Sequence, residues 1–194
     1  MNQIIYNSFP RSGNVYSSSV SPYFFTSNVT AVHIPEIFGV KDLDQITIFR
    51  KPEDAISSLI NKQFNSTIEI EQYAIEREAN RASDLYRKYM SYAKINKDLI
   101  YIGKFEDLTT NTVKHFENIA KRFNRELNKD YELKFKNAEF LGKVWDDRHD
   151  GHVPRPKDNV RLDIEDKVKA LSFIKELNKE YEEFINNFET KSSS

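Results

Sequence analysis

Short, near-continuous apolar runs alternate along this chain with longer stretches in which apolar residues recur every three or four positions. The runs are "QIIYNS" (Gln3–Ser8), "QITIFR" (Gln45–Arg50) and "DLIYIG" (Asp98–Gly103). Rich in Ile and Tyr, they predict buried strands of a parallel sheet covered on both faces. "NVTAVHI", ending in His33 and Ile34, is a fourth and weaker strand. The spacing between them is helical. "PEDAISSLINKQF" opens with Pro52 at a first helical position and puts Glu53 and Asp54 in the first turn, where the helix dipole favours acids. From about Ile68 to Ile95, one stripe runs through Ile75, Ala79, Ala82, Tyr86, Met90 and Ala93. "TTNTVKHFENIAKRFNREL" predicts a helix capped by Thr110 or Asn111, with Phe116, Ile119, Phe123 and Leu127 inward and His115 at the surface. A last helix spans about Ile164 to Phe188. Alternating strands and helices predict an α/β fold, three α/β/α layers around a short, mainly parallel central sheet.

Composition narrows this picture. The 194 residues suit a single domain over 1–190, with "TKSSS" fraying into a disordered tail at 191–194. A net charge of −1 gives no bulk reason to expect nucleic acid or an anionic membrane as partner, so any anion site must be local. Absence of cysteine removes disulfides, thiolate nucleophiles and cysteine-held zinc. No signal-peptide pattern and no apolar run near the roughly 20 residues of a membrane helix are present, so a soluble, cytoplasmic protein is expected.

The candidate chemistry starts in "FPRSGNVY", Phe9–Tyr16, directly after the first strand. Open α/β sheets hold ligands at the carboxyl ends of their strands. Gly13 permits positive φ and removes a Cβ from the path of an anion, while the amides of Ser12, Gly13, Asn14 and Val15 would form the cradle at the start of the next helix. Arg11 adds a fork of donors matched to phosphate or sulfate oxygens. The same residues also suit an ordinary strand-to-helix turn with a solvated arginine. Arg50, at the end of "QITIFR", and the Ser57–Ser58 hydroxyls in the following helix could share a second phosphate.

In these segments the sequence resembles the sulfotransferases. "FPRSGNVY" is similar to their phosphosulfate loop, Tyr-Pro-Lys-Ser-Gly-Thr-Thr-Trp. "FRKPEDAISS" resembles their 3′-phosphate motif, with Arg50, Pro52, Asp54 and Ser58 on the matched positions. "VHIP" resembles the segment that carries their catalytic base, which would be His33, and "KFEDL" resembles a Tyr-Glu-Asp-Leu turn, with Phe105 at the ring position.

The resemblance implies a P-loop-like fold and transfer of a sulfuryl group from 3′-phosphoadenosine 5′-phosphosulfate to an acceptor hydroxyl or amine, without a metal. Arg11 would stabilise charge developing at the transferred group, Arg50 and Ser58 would hold the 3′-phosphate, Tyr16 would stack on adenine, and His33 would take the acceptor proton. Asn14 and Val15 stand where the family has threonines, and the short Arg11–His33 interval leaves little room for acceptor-binding helices. In "GHVPRPK", Arg155 and Lys157 are candidates to fold over the nucleotide. "WDDRHDGH" is a charged loop rather than a metal site, since spacing in a loop defines no coordination geometry. Two alternatives stand beside the enzyme. One is a non-catalytic domain that binds a nucleotide or partner. The other is a nucleotide kinase, which lacks here the loop lysine and magnesium-binding Ser/Thr it requires. The acceptor, whether small molecule, glycan or peptide, is not legible, and neither is oligomeric state.

Overall fold

A computed structural model describes residues 3–40, 42–64, 70–140 and 159–189. The elements run β1 (Gln3–Asn7), α1 (Asn14–Phe24), β2 (Val29–Val32), a 3-10 turn at Pro35–Ile37, β3 (Leu43–Phe49), α2 (Pro52–Gln63) and α3 (Gln72–Ile95). They continue with β4 (Ile100–Lys104), α4 (Phe105–Thr110), α5 (Thr112–Phe123), α6 (Tyr131–Phe140), α7 (Asn159–Ala170) and α8 (Ser172–Glu189). All strand pairs are parallel, in the order β2-β1-β3-β4. The fold is therefore α/β, and the weakest apolar run, β2, lies at the sheet's edge.

Side-chain alternation divides the core between the two faces of the sheet. Ile4, Tyr6, Ile46 and Ile48 join Val20 and Phe24 of α1, Phe116 and Ile119 of α5 and Phe135 of α6. Phe49 joins Ile56 and Ile60 of α2, Tyr86 and Tyr89 of α3, and Ile164, Leu177 and Phe184 of α7 and α8. Both faces are covered, as near-continuous apolar strands require.

Three local expectations need correction, and a fourth holds in part. The acidic turn "FEDL" is a short helix, α4. Asn111 stands at the N-cap of α5, as expected, but makes no side-chain capping bond, and the Thr110 hydroxyl donates back to the Glu106 carbonyl within α4. The expected last helix is two, α7 and α8, joined at Leu171. His115 is in the core. It is 2% exposed, edge-on to Tyr101, and burial pushes its pKa down to about 3. A Cβ on neighbouring Gly103 would lie 2.8 Å from its ring, so the missing side chain there leaves room for the imidazole.

Among the described residues no helix is long and apolar enough to cross a membrane. Arg155, Lys157, the "WDDRHDGH" loop and the 191–194 tail lie outside the described residues.

Candidate anion site at the ends of β1 and β3

The chain leaves β1 through Ser8 and Phe9. The Phe9 ring is fully buried against Tyr86 and Tyr89 of α3, which fixes the start of the turn. Two residues then take left-handed backbone, Arg11 at φ 70° and Gly13 at φ 97°. For glycine this carries no steric penalty; for arginine it does. The Ser12 amide donates to the Phe9 carbonyl at 3.2 Å, so the turn itself uses the amide assigned above to the cradle. Helical bonding begins with Ser17 donating to Gly13. In such a helix the amides of Asn14, Val15 and Tyr16 have no intrahelical acceptor and sit at the positive end of the dipole.

The reason for Gly13 also differs from the sequence argument. A Cβ there would approach Phe105 and Leu108 of α4 to 3.0 Å, so the missing side chain admits α4 against the turn. Phe105 in turn lies under the Arg50 guanidinium, 4.9 Å from its centroid. Arg11 Nε donates to the Ser58 hydroxyl at 3.0 Å, whereas Ser57 bonds back to Glu53 of its own helix. An Arg50 amino group comes to 3.5 Å from the Arg11 carbonyl. Arg11, Gly13, Arg50, Ser58 and Phe105 are thus brought together from four elements.

The charge of a third guanidinium is felt at the same place. Arg161 shares one face of α7 with Ile164, Glu165 and Val168, the face that packs on α2, and its charge bears on both Arg11 and Arg50. Burial first, then Arg50 and Arg161, lower the pKa of Arg11. Burial also lowers that of Arg50, against the opposing pull of Asp54, Glu106 and Glu165. An anion beside Arg11 would relieve the repulsion it meets from Arg50 and Arg161. Sequence reasoning missed Arg161, because helical spacing from Ile164 marks its face of α7 but not what that face packs on. It also missed Tyr86, whose hydroxyl donates to the Arg50 carbonyl at 2.5 Å and holds the strand end in place.

His33 lies on the other side of the turn. Its ring is exposed, and Nδ1 is 2.7 Å from the Ser8 carbonyl. That contact calls for Nδ1–H, which leaves the lone pair on Nε2. Asn7 fixes the chain beside it, its side chain donating to the Ile34 carbonyl at 2.6 Å and accepting from the Ile34 amide at 2.9 Å. The Asn14 side chain is buried and donates to the Val32 carbonyl at 2.9 Å, so it stitches α1 to β2, with its Nδ2 3.4 Å from His33 Nδ1. Tyr16 is also a core residue, 8% exposed, its hydroxyl 3.3 Å from that of Thr112. The expected adenine-stacking ring is therefore spent on packing α1 against α5.

No protein-family model matches this chain, and no curated protein matches it. Among solved structures it is similar to the mouse sulfotransferase SULT7A1 in its complex with PAP, with a TM-score of 0.56 and 14% identity over 92% of this chain and 88% of that one. The chain has a sulfotransferase-like α/β fold.

Proposed function

We propose that this protein transfers a sulfuryl group from 3′-phosphoadenosine 5′-phosphosulfate to an acceptor hydroxyl or amine. The observation that carries this reading is the approach of Arg11 to both Ser58 and Arg50 beside the amino end of α1, where the charge of Arg161 bears on both arginines. A structural neighbour solved with PAP supports it.

The bound donor supplies an activated sulfuryl group with a phosphate leaving group. The α1 amides and Arg11 hold the 5′ end, where preorganised donors contribute about 3–4 kcal/mol each to catalysis. Arg50, Ser58 and Arg161 hold the 3′-phosphate, and Phe105 supports the Arg50 plane. His33, with Nε2 as acceptor, takes the proton from the attacking hydroxyl. The commitment of the Asn14 and Tyr16 side chains to the fold favours a second reading, a domain that binds the nucleotide without turnover.

Thermal shift with 3′-phosphoadenosine 5′-phosphate against ATP, followed by sulfuryl transfer to mixed acceptors, tests both. Preferential stabilisation by the bisphosphate with turnover is expected. Stabilisation without turnover establishes the second reading, and indifference to the bisphosphate overturns both.

A further inference from the structure

β2 occupies the edge of the sheet, and its parallel register defines which of its groups are available. Ile4 pairs with Val29 and donates to the Asn28 carbonyl at 3.1 Å. In a parallel ladder that pattern turns the backbone groups of Thr30 inward to β1, and those of Val29 and Ala31 outward. Ala31 is exposed, and so is His33 two residues on. Natural edge strands are commonly blunted by lysine, proline or a bulge. "NVTAV" has no charge and no proline, and its four-residue register with β1 is continuous.

We infer that this edge receives the acceptor as an extended polypeptide segment, which pairs with Val29 and Ala31 and presents a Ser, Thr or Tyr hydroxyl to His33. The inference rests on the sulfuryl-transfer reading above. Strands in a sheet lie about 4.8 Å apart, and side chains of directly paired residues share a face. Alternation puts Val29, Ala31 and His33 on one face of β2. A peptide residue opposite Ala31 or His33 therefore projects its side chain on the side that carries the imidazole. Main-chain bonds supply affinity in this mode of recognition, and alternate side chains supply selectivity. The edge leads directly into the candidate base, because Asn7 holds Ile34 and the Ser8 carbonyl holds the ring. In the step itself the hydroxyl oxygen bonds to sulfur as the bond from sulfur to the 5′-phosphate oxygen breaks. The proton passes to His33 Nε2 and the electron pair leaves on the phosphate.

Because the Ala31 amide points outward, Ala31→Pro deletes one docking donor and spares the β1 ladder, which uses Thr30 and Val32. The probe is an uncharged peptide of about seven residues with alternating Val and Thr around a central Tyr. In the presence of 3′-phosphoadenosine 5′-phosphate, the wild-type protein with this peptide should show exchange at the Val29 and Ala31 amides slowed at least about tenfold. With the sulfuryl donor, the peptide should be sulfated. Ala31→Pro should lose both effects and keep its thermal shift with the bisphosphate. If that variant does not fold, the probe methylated on the backbone nitrogens of alternate residues gives the same comparison on the wild-type protein. Undiminished sulfation by Ala31→Pro or of the methylated probe overturns the inference, as does transfer to glycans with no peptide turnover. Concentration-dependent protection of these amides without peptide, with a dimer mass, assigns the edge to a second copy and also overturns it. Loss of the bisphosphate shift in the wild-type protein would instead remove the underlying function.

Discussion

The two strand ends that form the anion site are built on opposite principles. After β3, the chain is held by several independent partners. Tyr86 bonds the Arg50 carbonyl, Pro52 opens α2, and Asn178 of α8 accepts from the Glu53 amide and donates to its carboxylate. Asp54, Glu106 and Glu165 offset the charge of Arg50. After β1, the turn contains two left-handed residues, one of them an arginine, and a Ser12 hydroxyl that is buried with no partner among the described residues. One end is secured by the fold. The other holds strain and unmet polarity, which in proteins gather where a ligand binds.

If the β1 end depends on its close contact with α4, Gly13→Ala is the largest perturbation. The new methyl combines a left-handed backbone with 3.0 Å contacts to Phe105 and Leu108. A loss of about 3 kcal/mol is expected in denaturant unfolding, with loss of bisphosphate binding. A stable variant that still binds would show that the turn does not need this approach.

Acid should act on the same support from behind. His115 packs under β4 against Tyr101 and Phe116, just ahead of α4. Its folded pKa is depressed to about 3, so between about 6.5 and 3 the unfolded chain binds a proton that the folded chain does not. The stability held above about pH 6.5 therefore falls as pH drops, by about 1.4 kcal/mol per unit, or about 2 kcal/mol by pH 5. Equilibrium unfolding at pH 7.5 and pH 5 should show this slope, and His115→Phe should flatten it. An equal slope in the variant would assign the acid sensitivity to other groups.

The β3 end makes the contrasting prediction. Arg50→Ala should cost only about 1 kcal/mol in unfolding, because Tyr86 bonds its backbone and only the side chain's contacts with Phe105 and the Arg11 carbonyl are lost. Bisphosphate affinity should fall about 10- to 100-fold, as for a lost charge-assisted contact. Titration calorimetry measures this, and an unchanged affinity would remove Arg50 from the site.

What was legible in the sequence follows the same division. Arg11, Gly13, Arg50 and Ser58 lie in short segments that follow two apolar runs, so parallel strands alone put them at the same, carboxyl end of the sheet. Arg161 comes from a helix far along the chain, and its place depends on α7 packing against α2, which no local pattern encodes. Tyr16 was misread for a related reason, while Asn14 was assigned only through its backbone amide, which still opens α1. Motif position says that a residue is near the loop, but helical phase turns the Tyr16 ring into the core. His115 shows the limit of polarity as a guide, since a neutral imidazole packs like an aromatic ring once a glycine clears the space.

The smallest effect is also the sharpest test of the comparison. A non-glycine residue in left-handed backbone costs roughly 1 kcal/mol, and glycine at the same position relieves it. Arg11→Gly should therefore stabilise the fold by about 0.5–1 kcal/mol, less whatever the Ser58 contact contributes, while turnover falls about 100-fold with the loss of a donor to the developing charge. Opposite signs on stability and rate are what a strained catalytic turn predicts. A variant that loses stability along with activity would mean that Arg11 holds its turn together as Tyr86 and Asn178 hold the β3 end, and the contrast between the two strand ends would vanish.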